Sequence, residues 1–368
     1  MGRHTTSLSR SPSVCWDHQA VARRTMPSHP APSISTPFGT VFADVMASAH
    51  YEDGAWATPR VHDVEPLALH PAAHVLHYGS ACFEGLKAHR GVDDTVGIFR
   101  LGEHVQRMRH SATVLNLPVP ETAALTAMIV EVVSANADQV PTSPGSLYVR
   151  PVLVGIDPDI GAVGIPSRAA LLYVICSPVS DYFSGGLRPL RIGVETELPR
   201  TTPHFGSVKA GANYAMALGV TRLAREQNGV DQVLFAPGGE VQETGASNFM
   251  LISDGQVITP RLTGDFLHGV TRDSVLKLAG DLGYRIEERL VTVDEMIDLA
   301  RGGRCEAALS GTAAVLAPVG TLVHKGEDIT VGDGRVGNNT TRLRSALTDI
   351  QTGRRPDVHG WLTAVSSR

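Results

Sequence analysis

Lysine is the scarcest charged residue in this 368-residue chain: of 32 basic residues only Lys87, Lys209, Lys277 and Lys325 are lysine. Chemistry that needs a lysine amine therefore has four candidates. Cysteine is as sparse. Cys15, Cys82, Cys176 and Cys305 are too few and too scattered for a disulfide framework or a zinc site, so a reducing, cytoplasmic setting is the default. No apolar run approaches the ~18 residues that a membrane-spanning helix needs. Neither sign of charge dominates: the formal net charge is −5, which leaves no footprint for nucleic acid or anionic lipid. Internal repeats are also missing. What is present is 42 % hydrophobic and 19 % charged residues, the balance of a globular protein. At roughly 100–200 residues per domain, the length suggests two domains.

Residues 1–36 are rich in Ser, Pro, Arg and His, with Asp17 as the one acid. That composition resembles a transit peptide without the amphipathic period. The expectation is a disordered tail, or translation from too early a start with Met26 as the initiator. The folded pattern begins near Phe38. Extended segments are expected at 41–46 and 75–78, helices at 103–115 and 123–135, and buried strands at 147–154 and 169–176. Ser184-Gly185-Gly186 and Arg188-Pro189 then punctuate the chain. They divide it into an N-terminal domain over 37–182, a linker over 183–195 and a C-terminal domain over 196–368. In the second half a strand at 190–194 precedes a helix at 213–226, stopped by Asn228-Gly229. Hairpins are expected around Pro237-Gly238-Gly239, joining 231–235 to 241–244, and around Asp254-Gly255, joining 247–252 to 257–259. Helices follow at 271–282, 294–300 and 339–351, with a strand at 307–310. Strands and helices mixed in both halves indicate a two-domain α/β or α+β enzyme.

Lys209 sits among small residues, Gly206-Ser207-Val208-Lys209-Ala210-Gly211-Ala212, just ahead of a helix. Small neighbours let a flat ligand approach the backbone. A lysine that forms a Schiff base must be desolvated for its free amine to act. A lysine at a helix start is ordinarily a surface residue, but scarcity and small neighbours weigh against that here. Lys325, in His324-Lys325-Gly326-Glu327, reads as an exposed loop, and Lys277 as the solvent face of a helix. Lys87, in Phe83-Glu84-Gly85-Leu86-Lys87, stays open. Glu243 lies between two apolar segments, where a carboxylate is costly unless a cation pairs with it. A protonated pyridine or a nearby arginine would serve equally well. Two segments suit a phosphate. Gly269-Val270-Thr271-Arg272 opens a helix, where free N–H groups and the dipole favour an anion. Leu309-Ser310-Gly311-Thr312-Ala313 follows a strand and offers hydroxyls with close backbone approach. Neither matches a Walker P-loop or the G-x-G-x-x-G fingerprint.

A lysine, a carboxylate and two phosphate-suited turns between Lys209 and Ala313 suggest pyridoxal phosphate. The resemblance then becomes specific. From about Pro37 to about Asp357 the chain resembles the branched-chain amino acid aminotransferases, fold-type IV pyridoxal phosphate enzymes of the class IV aminotransferase family. The segments that carry it are His77-Tyr78-Gly79, Phe83-Glu84-Gly85-Leu86-Lys87, Phe99-Arg100 with Gln106-Arg107-Met108, Tyr148-Val149-Arg150-Pro151, Tyr182-Phe183-Ser184-Gly185-Gly186, the Lys209 and Glu243 segments, Gly269-Val270-Thr271-Arg272 and Ser310-Gly311-Thr312-Ala313. The resemblance implies a smaller N-terminal α/β domain, a larger C-terminal pseudo-barrel domain and a homodimer whose second subunit closes the pocket.

By that resemblance Lys209 carries the cofactor as a Schiff base and moves the Cα proton. Tyr214 bonds the phenolate oxygen, and Glu243 pairs with the pyridine nitrogen. Arg107 clamps the phosphate bidentately, helped by the N–H groups of Val270 and Thr271 and the hydroxyl of Thr312. Tyr78, Arg150 and the Thr312–Ala313 backbone hold the substrate carboxylate, while Phe83 and Tyr148 line the apolar pocket. The implied reaction exchanges the amino group of Leu, Ile or Val with 2-oxoglutarate. A specialised transaminase for a non-protein or aromatic amino acid is the alternative. A binding protein with a dead site would require loss of Lys209, Glu243 or Arg107, and all three are present. Two departures stand out. Ala246 replaces a threonine usual after the glutamate, and Ala314 and Ala317 occupy the places of a C-x-x-C found in mammalian members.

Overall fold

The computed structural model describes residues 38–183 and 185–366. The expectations for the 1–36 tail, for Met26 and for Ser184 lie outside the described residues. Among the described residues, alternating apolar positions build two large sheets. The first has nine strands, in the order Leu362–Val365, Val96–Phe99, Leu86–Arg90, Ser146–Gly155, Ala170–Val179, Val45–Glu52, Ala55–Trp56; Arg60–Asp63 and Ala81–Phe83 attach beside it. Its pairings are antiparallel. The helices Leu101–Val114 and Thr122–Ala135 send Met108, Leu125 and Ile129 into a core with Leu86, Ile98, Leu147 and Leu153 of the sheet.

The second sheet has eight strands, in the order Gln232–Phe235, Leu190–Glu195, Val315–His324, Cys305–Gly311, Asn248–Ser253, Gln256–Pro260, Arg285–Arg289, with Glu327–Thr330 beside Val315–His324. Its central strands are buried on both faces, successive side chains pointing to opposite sides. Along Asn248–Ser253, Phe249 and Leu251 enter one core with Met296 of the helix Val293–Arg301. Met250 and Ile252 enter another with the helices Val270–Asp281 and Asn338–Gln351. The helix Gly211–Asn228 stops where expected, with Gly229 in the left-handed conformation (φ 61°).

Two local expectations fail for physical reasons, and a third is met only in part. Residues 75–78 are not extended: His74–Tyr78 is one helical turn, closed by Gly79 (φ 64°), whose N–H donates to the Val75 carbonyl. Residues 41–46 become a strand only from Val45, because Ala43 and Val41 are pinned by the Cys176 carbonyl and the Ser177 hydroxyl. The 231–244 hairpin forms as a short ladder: the Phe235 N–H donates to the Glu243 carbonyl, the Gln242 N–H donates to the Phe235 carbonyl, and Leu234 bridges Thr244 in antiparallel. On its other edge Gln232–Phe235 pairs in parallel with Leu190–Glu195. Gly238 (φ 65°) and Gly239 (φ 86°) lead the chain out through a helical turn, after which Val241 bonds to Val291.

Candidate active site

Lys209 leads directly into the helix Gly211–Asn228. The approach to it is fixed by Asn213, whose amide donates to the carbonyls of Phe205 and Val208 and whose oxygen accepts from Thr201. Gly206 serves the chain itself rather than a ligand: a Cβ there would lie 2.0 Å from the Asp265 backbone. The Lys209 amine donates to the Tyr214 hydroxyl at 2.8 Å, one helical turn on. Phe83 packs on Tyr214 with ring centroids 5.2 Å apart, and its ring lies 5.1 Å from the amine. The other three lysines are elsewhere. Lys277 is half exposed and pairs with Asp273, and Lys325 is exposed in a turn. Lys87 is buried, with its amine on the Ala313 carbonyl.

Glu243 is 3 % exposed. One carboxylate oxygen accepts from Arg200 at 2.6 Å and from the Leu267 N–H at 2.9 Å; the other accepts from Asn248 at 3.0 Å. Burial pushes its carboxyl up to about 7 against the pull of Arg200. Asn248 also donates to the Leu267 carbonyl, tying the carboxylate to the loop that opens the helix Val270–Asp281. Among the described residues that helix has no side-chain cap, which leaves the N–H groups of Val270 and Thr271 to an anion. Gly269 is required beside it, since a Cβ would meet the Asn248 side chain at 2.0 Å.

Arg107 faces the same helix end, donating through Nη1 to the His268 carbonyl at 2.9 Å. Its Nε and Nη2 form a fork on the two oxygens of Glu84, at 2.6 and 2.9 Å. His104 Nδ1 and the Gly85 N–H complete the ring around Glu84. Burial alone would raise the Glu84 carboxyl, but Arg107 and then His104 overcome it and hold it well below the usual range. Burial likewise lowers His104.

On the first sheet Arg150 donates to the Tyr148 hydroxyl at 2.9 Å and lies over the Phe83 ring at 4.7 Å. Among the described residues its Nε is buried without a partner. Gly85 makes room for Tyr148, whose hydroxyl would be 1.9 Å from a Cβ there. A cavity of about 750 Å³ reaches Tyr214 past Tyr182, Gly245 and Ala246, and one of about 1180 Å³ reaches Arg107, Gly269 and Val270. Thr312 and Ala313 form the turn between Cys305–Gly311 and Val315–His324. Tyr78 stands apart from this group. It is 38 % exposed, and its hydroxyl donates to the Ile160 carbonyl.

An anchored lysine amine, a buried carboxylate and a cationic helix-end cradle thus converge from both sheets. Residues 81–321 match the family model for amino-transferase class IV. The chain belongs to the class IV aminotransferases. This class IV aminotransferase is 36 % identical over 337 residues to "Branched-chain-amino-acid aminotransferase 2" of Bacillus subtilis, spanning 90 % of this chain and 92 % of that one. It is also similar to a solved T.th. branched-chain amino acid aminotransferase with pyridoxamine 5'-phosphate. The identity is 29 % and the TM-score 0.73, over 89 % of this chain and all of that one. The same neighbour complexed with 4-methylvaleric acid gives 29 % and 0.69, over 87 % and 99 %. The fold-type IV expectation holds.

Three site residues of this aminotransferase escape sequence reasoning as individuals. Glu84 lies inside the Phe-Glu-Gly segment, and Asn248 ends the Glu243 segment; either could be picked out as a polar residue within an apolar stretch. Arg200, one of 28 arginines, carries no local signal.

Proposed function

We propose that this enzyme exchanges the amino group of leucine, isoleucine or valine with 2-oxoglutarate, with pyridoxal 5'-phosphate held on Lys209. The observation that carries the reading is the Lys209 amine 2.8 Å from the Tyr214 hydroxyl, in a chain so similar to branched-chain enzymes. The residues fit the cofactor. Glu243 has a lone-pair site left for a ring N–H, and the raised carboxyl gains from one more cation. The uncapped helix end and Arg107 suit the phosphate. When bound, the cofactor supplies the electron sink for chemistry at Cα. The chain supplies the rest. Lys209 takes and returns the Cα proton, Tyr214 bonds the ring oxygen, and Arg107, Val270, Thr271 and Thr312 hold the phosphate. Arg150 and the Thr312–Ala313 turn seat the carboxylate, for which the unpartnered Arg150 Nε is available. Phe83 and Tyr148 shape the apolar pocket.

The domain division at 183–195 is part of the same proposal, supported by sheets that part between Val179 and Leu190; only Leu362–Val365 returns to the first. A homodimer is favoured by the exposed Leu76, Ile160, Val163 and Ile165 around Tyr78, a face through which Tyr78 would reach a partner's pocket. Among the described residues no helix is long and apolar enough to cross a membrane, and we place the reaction in the cytoplasm.

Initial rates with a panel of amino donors and 2-oxoglutarate test the substrate. An apolar pocket separates one methylene by only about 1–3 kcal/mol, so leucine, isoleucine and valine should all be used, each ahead of aromatic donors. Preference for an aromatic or non-protein donor over all three would reject the branched-chain reading. A second test concerns the clamp. Glu84→Gln removes the charge that orients the Arg107 fork, a charge-assisted contact worth about 1.5–3 kcal/mol. Cofactor affinity in equilibrium dialysis should fall roughly tenfold; unchanged affinity would mean that Arg107 needs no such support.

A further inference from the structure

Lys87 and Arg344 take no part in the chemistry above, yet both are drawn to the turn at 311–315. Lys87 lies opposite Tyr148 in the antiparallel pair of Leu86–Arg90 with Ser146–Gly155. Opposed residues share a face, so Lys87 stands on the same face as Tyr148 and Arg150. It is 8 % exposed, and its ammonium donates to the Ala313 carbonyl at 2.9 Å. Arg344, from the helix Asn338–Gln351, donates to the next carbonyl, Ala314, and to Leu316 at 3.3 Å. Its Nη2 pairs with Asp181 at 3.2 Å, and Asp181 also acts on Lys87, opposing the burial that pushes that amine down to about 8. His89 nearby is kept neutral: burial and then Lys87 push it down to about 3. Two cations and one acid therefore meet behind a single turn. Such an excess of positive charge, buried at Lys87 and partly buried at Arg344, is costly unless an anion approaches.

The turn is built to receive one. Among the described residues the N–H groups of Thr312, Ala313 and Ala314 have no acceptor. The Ser310 hydroxyl just before them and the Arg150 Nε are buried without partners. Val315 closes the turn at φ 62°, a left-handed conformation that a β-branched residue keeps only where its surroundings enforce it. Cations on the two preceding carbonyls provide that enforcement, because each planar peptide unit turns as a whole with its carbonyl.

We propose that Lys87 and Arg344 are positioning residues that hold the Ala313 and Ala314 carbonyls and so set this turn to receive the substrate carboxylate. The inference rests on the reading of the turn as the carboxylate's seat. Binding of 4-methylvaleric acid to the holoenzyme, measured by titration calorimetry, tests it without turnover. Lys87→Met keeps the length and removes the charge. Its affinity for the acid should fall about tenfold or more, while cofactor content is unchanged, and Lys87→Arg should restore most of the loss. Turnover of 3-methylbutylamine, which is leucine without its carboxylate, should be spared where leucine is slowed. Arg150→Leu separates the two readings. If it weakens acid binding and Lys87→Met does not, the carboxylate site stands and the positioning role falls. If neither weakens it, the carboxylate sits elsewhere and both fall. Should Lys87→Met fail to load cofactor, Arg344→Gln puts the question from the other end of the clamp. Weaker acid binding then supports the proposal, and unchanged binding overturns it.

Discussion

Lys209→Ala should abolish transamination and, with it, the visible absorbance band of the lysine-bound cofactor. No other amine can replace it. Lys87 is committed to the Ala313 carbonyl, Lys277 to Asp273 on the surface, and Lys325 is exposed in a loop. In the proposed reaction the same lysine would also carry the proton that moves at Cα, so anchor and base would be lost together. A positioned general base alone contributes about 10²–10⁴-fold, and the rate should fall by at least the upper figure. The fold should survive, because the backbone ties of this segment remain: the Lys209 N–H to the Ser111 hydroxyl and the Lys209 carbonyl from the Phe83 N–H. Absorbance after dialysis and single-turnover rates read the two losses separately. If Lys87→Ala rather than Lys209→Ala removes the band, the assignment is wrong.

How much of the molecule is legible in its amino-acid sequence depends on where the information lies. The helices Val270–Asp281 and Asn338–Gln351 declare themselves because their apolar period and end signals are local. His74–Tyr78 does not: one turn is too short to show a period, and its end depends on Gly79 adopting a left-handed conformation. Residues 241–244 look like a strand by composition and do pair back on Leu234 and Phe235, whereas the parallel pairing of Gln232–Phe235 with Leu190–Glu195 is made by tertiary packing and leaves no local signal. The site divides in the same way. Lys209 and Glu243 stand out by scarcity and by the cost of burial. The partners that make them work are remote in sequence: Glu84 is 23 residues from Arg107, and Lys87 is 226 residues from Ala313. A buried ion pair leaves almost no mark in either local segment, since each half reads as an ordinary charged residue.

Glu243→Gln should slow the reaction by between about tenfold and a hundredfold or more, mainly in kcat. The carboxylate receives Arg200 and the Leu267 N–H on one oxygen and Asn248 on the other. Two oxygens offer about four lone-pair sites, so one is left for a protonated pyridine nitrogen. Glutamine keeps the shape but removes the charge that holds that proton in place. Without that charge a bound pyridoxal phosphate would supply a weaker electron sink while Lys209 moves the Cα proton in the proposed reaction, an effect felt in the transition state more than in substrate binding. A charge-assisted bond of about 1.5–3 kcal/mol converts to that range of rate. The substitution also strands Arg200, whose side chain is 4 % exposed. Breaking a buried pair costs about 3–5 kcal/mol of stability, so Tm should fall as well, and rates belong well below the transition. That second loss makes the experiment decisive. A variant with lowered Tm and normal kcat would show that Glu243 is Arg200's structural partner alone, with another acid serving the ring nitrogen. A variant that loses both, yet keeps its cofactor through Lys209 and Arg107, has lost the charge at the ring.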